Sequence, residues 1–318
     1  MLTRRSFAAA SAAALVPFSA QAQMRYPVPT VTLVTHSSPG GGSDVFLREL
    51  IKHLHPVMGV NFAVENVRGG SGATAVARVA RARPDGSMFY ATTPTYIQTT
   101  LLSRPEFGYD SLDPLAIVFL DPEVIYTRVE SPFRTLADAV AHAKANPGRQ
   151  RWGAANPASL ERIAFEKMNR LIGARAAVVS HEGGGDLMIN VLNGTLDLGI
   201  GEIQEIRAQL DANRIRLLGV VTEERLPDFP DLATAREQGV DLVVTKFRGL
   251  AGPKGMPDEI AAMWHDALRQ VLASPAYKEQ YAKESLVPAL KGREEARRFT
   301  AEFAAEIAAT LRELGVVR

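Results

Sequence analysis

From Val31 to about Leu250, short apolar runs rich in β-branched residues alternate with stretches whose apolar residues recur every three or four positions. A strand covered on both faces reads as a continuous apolar run, and an amphipathic helix supplies the cover. The alternation therefore restricts the chain to α/β units around mostly parallel sheet. Residues 30–35 form the first expected strand. Leu47, Leu50, Ile51, Leu54, Val57 and Met58 then follow at helical spacing and stop at Gly59, a C-terminal cap. The same reading places strands at 62–64, 88–92, 115–120 and 124–129, and helices at 73–82 and 136–145. A second series has strands at 151–155, 176–181, 196–200 and 216–222, with helices at 160–172, 186–192 and 203–212. A further strand at 242–247 precedes the glycine-rich run 249–255, and 256–273, 275–284 and 293–314 are helical.

A chain of 318 residues is long enough for two domains. The expected division is residues 1–22 as a signal peptide, 23–123 with 246–318 as one domain, and 124–245 as the other. Arg4 and Arg5 precede an alanine-rich apolar stretch that ends in Ala20-Gln21-Ala22, an A-x-A cleavage pattern. T-R-R-S-F is compatible with twin-arginine or Sec export, and the route stays open. The stretch is too short to span about 30 Å of hydrocarbon, so cleavage after Ala22 is expected rather than anchoring. Without Arg4 and Arg5 the balance is 34 basic to 35 acidic residues, which argues against nucleic acid or an anionic membrane surface as partner. No cysteine is present, so the core must be stable without disulfides.

One local device occurs twice. Pro39-Gly40-Gly41-Gly42-Ser43-Asp44 joins a strand to a helix in the first series, and Glu182-Gly183-Gly184-Gly185-Asp186 does so in the second. Glycine lets backbone approach a ligand closely, and the N–H groups of a first helical turn attract an anion. A single triplet is more simply a tight turn. Two of them, at the carboxyl ends of strands in different domains, read as a two-sided grip on a carboxylate.

Other chemistries lack their parts. Neither triplet is followed by the lysine of a Walker loop. Gly70-Ser71-Gly72-Ala73-Thr74-Ala75 fits a dinucleotide fingerprint, but the next strand, M-F-Y-A-T-T, ends without the ribose-binding acid. Ser43, Asp44, His36, His181 and Asp186 contain the ingredients of a hydrolytic triad without a G-x-S-x-G elbow. His53 and His55 splay apart on one helix and read as surface residues, and no metal-ligand motif occurs. No cofactor, metal or catalytic residue is expected.

In order and spacing, P-G-G-G-S-D at 39–44, V-E-N-V-R-G-G-S-G-A at 64–73, R-P-D-G-S-M-F-Y-A-T-T at 83–93 and N-P-G at 146–148 are similar to the Bug/TctC family. So are E-G-G-G-D-L at 182–187, L-N-G-T-L-D-L at 192–198, R-L-P-D-F-P-D at 225–231 and G-L-A-G-P-K-G-M-P at 249–257. These are the periplasmic solute-binding proteins of tripartite tricarboxylate transporters. The resemblance covers nearly the whole mature chain. It implies a type II periplasmic binding-protein fold, two α/β domains around a hinged cleft, in a monomer without enzymatic activity. It further implies a small organic carboxylate as ligand (a di- or tricarboxylate, amino acid or aromatic acid) and delivery to the transporter's membrane subunits.

Carried onto this sequence, the resemblance implies a first-domain grip of Gly41, Gly42, Ser43 and Asp44, with Ser71, Gly72, Ala73 and Thr93. The second-domain grip is Gly183, Gly184, Gly185 and Asp186, with Asn156, Ala158, Ser159, His181 and Glu202. Asp44 and Asp186 orient loops rather than touch an anion. Two departures stand out: Thr35-His36-Ser37-Ser38 replaces an apolar, proline-rich lead, and Ser180-His181-Glu182 replaces an aromatic and a basic residue. His36 and His181 either donate to a carboxylate or pack beneath their loops. Glu202 receives a ligand amine or hydroxyl, or pairs with an arginine, the pairing being preferred. A periplasmic enzyme or ligand-sensing protein on the same scaffold is the alternative function.

Overall fold

The computed structural model describes residues 26–313 and 315–317, so the expected signal peptide lies outside the described residues. The first unit runs β1 (Thr30–Thr35), α1 (Gly42–Met58), β2 (Asn61–Asn66), α2 (Ala73–Ala80), β3 (Met88–Thr92), α3 (Pro94–Ser103) and β4 (Leu112–Leu120). The chain then crosses to β5 (Glu123–Arg128), α4 (Leu136–Ala145), β6 (Arg151–Ala154), α5 (Leu160–Ile172), β7 (Ala177–Ser180), α6 (Gly184–Leu192), β8 (Leu198–Glu202), α7 (Ile203–Asp211) and β9 (Ile215–Val220). It returns as β10 (Phe247–Pro253) and ends with α8 (Asp258–Ala273), α9 (Pro275–Lys283), β11 (Val287–Lys291) and α10 (Arg293–Glu313).

The two sheets share a plan. One has the order β11-β4-β10-β3-β1-β2 and the other β7-β6-β8-β5-β9. β1 in one sheet and β6 in the other lie between two parallel neighbours, and the strands entered after a crossing, β5 and β10, are antiparallel to both of theirs. β5 thus follows β4 into the second sheet, and β10 brings the chain back into the first. The expected mixed α/β architecture with two crossings is what the molecule has.

Local signals explain several boundaries. Gly59 ends α1 at φ +65°, donating to the His55 carbonyl, and Gly173 ends α5 at φ +66°. Thr135 and Ser159 cap α4 and α5 through their side chains. Three expectations shift. Residues 242–246 are not strand but crossover; β10 begins at Phe247 and takes in Gly249 and Gly252, where added side chains would meet the Ala116 carbonyl, Met256 and Phe89. Helix α3 and strand β11 were not expected from periodicity. Apolar cores fill both faces: Leu33, Phe46, Phe119 and Trp264 in one cluster, and Trp152, Phe165, Leu198 and Phe247 in another.

Candidate ligand cleft

The carboxyl ends of β1, β3, β6, β7 and β8 converge on one narrow cavity lined by His36, Ser37, Gly42, Ser43, Thr93, Thr95, Ala155, Asn156, Glu161, Gly183, Gly184, Glu202, Glu205 and Lys246. Both sheets contribute. Helices α1 and α6 open with glycine N-caps, Gly41 and Gly183, and neither cap has a side chain to satisfy the first-turn N–H groups. The loops meet: a Cβ on Gly183 would lie 2.8 Å from Ser38 N, and one on Gly185 would lie 2.7 Å from the Pro39 carbonyl. Glycine is needed there because two backbones touch. The free volume, about 20 Å³, is on the scale of a single water.

Beneath the loops lies a buried charge cluster built mainly from the two crossovers. Lys246 Nζ contacts Glu123 at 2.9 Å, Glu161 at 2.5 Å, and Glu202. Arg248 bonds Asp121, reaches Glu202 Oε1 at 2.8 Å and donates to Ser43 Oγ at 3.0 Å. Glu123, Glu161 and Glu202 could hold a metal ion by geometry, but the cation among them is the Lys246 ammonium. Five carboxyls, Glu205 included, thus face two cations. Burial raises all five, yet Lys246 and then Arg248 outweigh it at Glu202, and Lys246 does so at Glu161, leaving both below the usual carboxylate range. Burial pushes Asp121 up to about 6 against the pull of Arg248. Glu123 and Glu205 go well above their ordinary value, through burial and then the neighbouring acids Glu161 and Glu202 respectively.

Of the residues expected in the grip, Gly42, Ser43, Thr93, Asn156, Gly183, Gly184 and Glu202 line the cavity. Others stand behind it. Gly41 packs on Ser37 Oγ, and Asp44 accepts from Gly40 N at 3.0 Å, Asn66 Nδ2 at 3.0 Å and Arg48 Nε at 2.9 Å. Ser71, at φ +52°, gives its carbonyl to Thr99, Gly72 packs against His36 and Tyr90, and Ala73 starts α2. Ala158 donates its N–H to Asn156 Oδ1, and Ser159 caps α5. Asp186 pairs at 2.6 Å with Arg68 at the surface. His181 lies outside the cavity lining, its Nδ1 buried without a partner among the described residues. His36 bonds Tyr90 Oη through Nδ1 at 2.8 Å, and Ser43 is engaged by Arg248, so neither contact joins a nucleophile to a base. His53 is less of a surface residue than expected, since it packs on Tyr277 at 4.5 Å.

Residues 46–316 match the family described as tripartite tricarboxylate transporter family receptor. The chain belongs to this receptor family. Among its relatives is an Agrobacterium vitis protein of the ttuE–ttuC′ intergenic region, 27% identical over 312 residues, covering 96% of this chain and 89% of the relative. The periplasmic binding protein BugD superposes with a TM-score of 0.86 at 22% identity, over 92% of this chain and 99% of that one. A protein of R. palustris solved with adipate also gives 0.86, at 24% identity, over 91% and 98%.

As a member of this receptor family, the chain carries several cleft residues that motif reading did not single out. Lys246, Glu205, Glu161, Thr95 and Ala155 all line the cavity, beside His36 and Ser37 of the unusual lead into the first triplet. Lys246 and Arg248 sit inside the apolar run L-V-V-T-K-F-R-G-L-A, where burying a cation is costly unless it is paired. That interruption is the signal that could have marked them. Glu202 forms the expected arginine pair, with Arg248.

Proposed function

We propose that the protein is a periplasmic solute-binding receptor that captures a small organic carboxylate between two lobes and delivers it to the membrane subunits of a tripartite tricarboxylate transporter. The lobes are residues 23–123 with 246–318, and 124–245, hinged at 121–123 and 244–247. The observation that carries this reading is the meeting of two glycine-led helix N-termini, one from each sheet, at the carboxyl ends of parallel strands. Solved relatives support the ligand class, one having been captured with adipate. No described helix is long and apolar enough to cross a membrane, and residues 1–22 serve as an export signal that is removed.

In this mechanism the backbone donors of Gly42, Ser43, Gly184 and Gly185 hold the ligand carboxylate, with Thr93 and Asn156 beside it. Gly41, Asp44, Ser71, Gly72, Ala73, Ala158, Ser159, Gly183 and Asp186 shape the loops. Charge-assisted hydrogen bonds of this kind are about twice as strong as neutral ones, and closure dries the site. Because the present cavity is water-sized, entry requires the lobes to part, and binding then favours the closed arrangement that a transporter reads. A thermal-shift screen of organic acids tests this. Saturable stabilisation with the acid recovered unchanged is the expected result; conversion of the acid into product would contradict it.

A further inference from the structure

We infer that the cleft selects a ligand carrying a protonated nitrogen beside its carboxylate, and that Glu205 is the residue that receives this cation. The inference rests on the reading of the cleft as an organic-acid site and narrows its ligand class. Five ionisable side chains line the cavity, Glu161, Glu202, Glu205, Lys246 and His36, the last held neutral by burial and then Lys246. Lys246 is already shared among Glu123, Glu161 and Glu202, and Arg248 among Asp121, Glu202 and Ser43. A ligand bearing several carboxylates would find its cations committed and two or three carboxylates facing it, a desolvated like-charge contact.

Glu205 differs from its neighbours. Glu202 has two cations and Glu161 has one, whereas no described cation lies within ion-pair distance of Glu205. It reaches the cavity from α7, accepts the Gly42 N–H at 3.3 Å, and packs so closely on Gly184 that a Cβ there would overlap its carboxyl. Its side-chain neighbours are a second acid, Glu202, which it hydrogen-bonds, and the Tyr126 phenol. Glu205 therefore occupies the place between the glycine loops where a ligand carboxylate belongs. When that carboxylate takes the Gly42 N–H, Glu205 is displaced toward whatever sits beside it. Burial and Glu202 hold the Glu205 carboxyl well above its ordinary value, so an ammonium beside it favours the ionised form that its surroundings suppress, whereas a second carboxylate adds to the repulsion.

A second cavity group is free to meet either end of such a ligand. Thr93, 2% exposed and on the cavity wall, has its hydroxyl oxygen buried with no hydrogen-bond partner among the described residues. That hydroxyl is free to bond a ligand, accepting from an ammonium or donating to a carboxylate. Glu202, the residue expected from sequence to meet an amine, is excluded from that role by its two internal cations.

The test compares matched pairs by calorimetry on the mature protein: succinate with aspartate, glutarate with glutamate, adipate with 2-aminoadipate, and the diamines putrescine and cadaverine. In at least one pair the amino acid should bind about tenfold or more tighter than its plain acid, and Glu205→Gln should cut that ratio to about threefold or less. Plain acids binding as tightly as their amino partners throughout would overturn the inference while leaving the organic-acid reading intact. A preference that survives in Glu205→Gln would overturn the role of Glu205. Binding of diamines alone would overturn the organic-acid reading, and no binding by any compound would overturn both.

Discussion

The two glycine loops begin alike and are held differently. The loop before α1 is fixed mainly from its own side of the cleft, where Asp44 ties Gly40, Asn66 and Arg48 together and Ser43 is bonded to Arg248; the Gly42 N–H to Glu205 bond adds one contact from the other side. The loop before α6 takes much of its support from across the cleft, where Gly183 and Gly185 abut Ser38 and Pro39 and Asp186 pairs with Arg68. Buried bonds to a charged group hold more strongly than one surface ion pair. On the proposed receptor reading, the first loop is a fixed jaw and the second a jaw seated by closure. A shared sequence motif fixes where each helix starts, but the polar residues around it decide how each loop is held.

The strongest way to break this contrast lies beneath both jaws. Lys246→Met would leave Glu123, Glu161 and Glu202 buried without their shared cation, and denaturant unfolding should show a loss of about 3–5 kcal/mol. Retained stability would mean the cluster relaxes by taking up protons instead. The fixed jaw should also carry a pH signature. Burial, then Lys246, holds the His36 imidazole down to about 4, below its ordinary 6.5. Between those values the unfolded chain binds the proton and the folded one does not. The contribution is therefore complete above pH 6.5 and is lost as pH falls through 4, by up to roughly 3 kcal/mol. His36→Gln should flatten the stability curve in that window.

A direct comparison of the jaws follows from their aspartates. Burial raises the Asp44 carboxyl, but the hydrogen bonds from Arg48, Gly40 N–H and Asn66 outweigh it and leave the group below its ordinary value. Asp44→Ala should cost about 2 kcal/mol of unfolding stability, since it strips donors of a charged acceptor. Asp186→Ala removes only an exposed pair and should cost less than about 1 kcal/mol. Equal losses would erase the distinction between a fixed and a seated jaw.

Much of this architecture can be read from the residues alone. Strand β1 begins and ends where its apolar run does, and Gly59 stops α1 as a left-handed cap should. The crossover back was harder. L-V-V-T-K-F has strand composition, yet Leu242 and Val244 take irregular backbone bonds to Val240 and Val221, while the glycine-rich G-L-A-G-P is central sheet because close packing there excludes side chains. Local propensity yields to tertiary packing at both places. The glycine jaws were visible because their spacing is local; the charge cluster was not, since Asp121, Glu123, Glu161, Glu202, Glu205, Lys246 and Arg248 come together only through the paired crossovers. Glu205, in the first turn of an ordinary amphipathic helix where acids are common, carries no sequence mark of its own.

Closure of the second jaw onto the first is most directly tested at Gly185. It lies in helix α6 with ordinary helical backbone, so Gly185→Ala should leave the fold intact and even favour the helix by about 0.5–1 kcal/mol. Its new methyl, however, would lie 2.7 Å from the Pro39 carbonyl of the opposite lobe. Calorimetric titration of an organic acid that binds the native protein should give one site per chain, and the variant, with its unfolding midpoint unchanged or raised, should bind at least about tenfold more weakly. Equal affinity in the two proteins would contradict capture by the meeting of the two glycine loops.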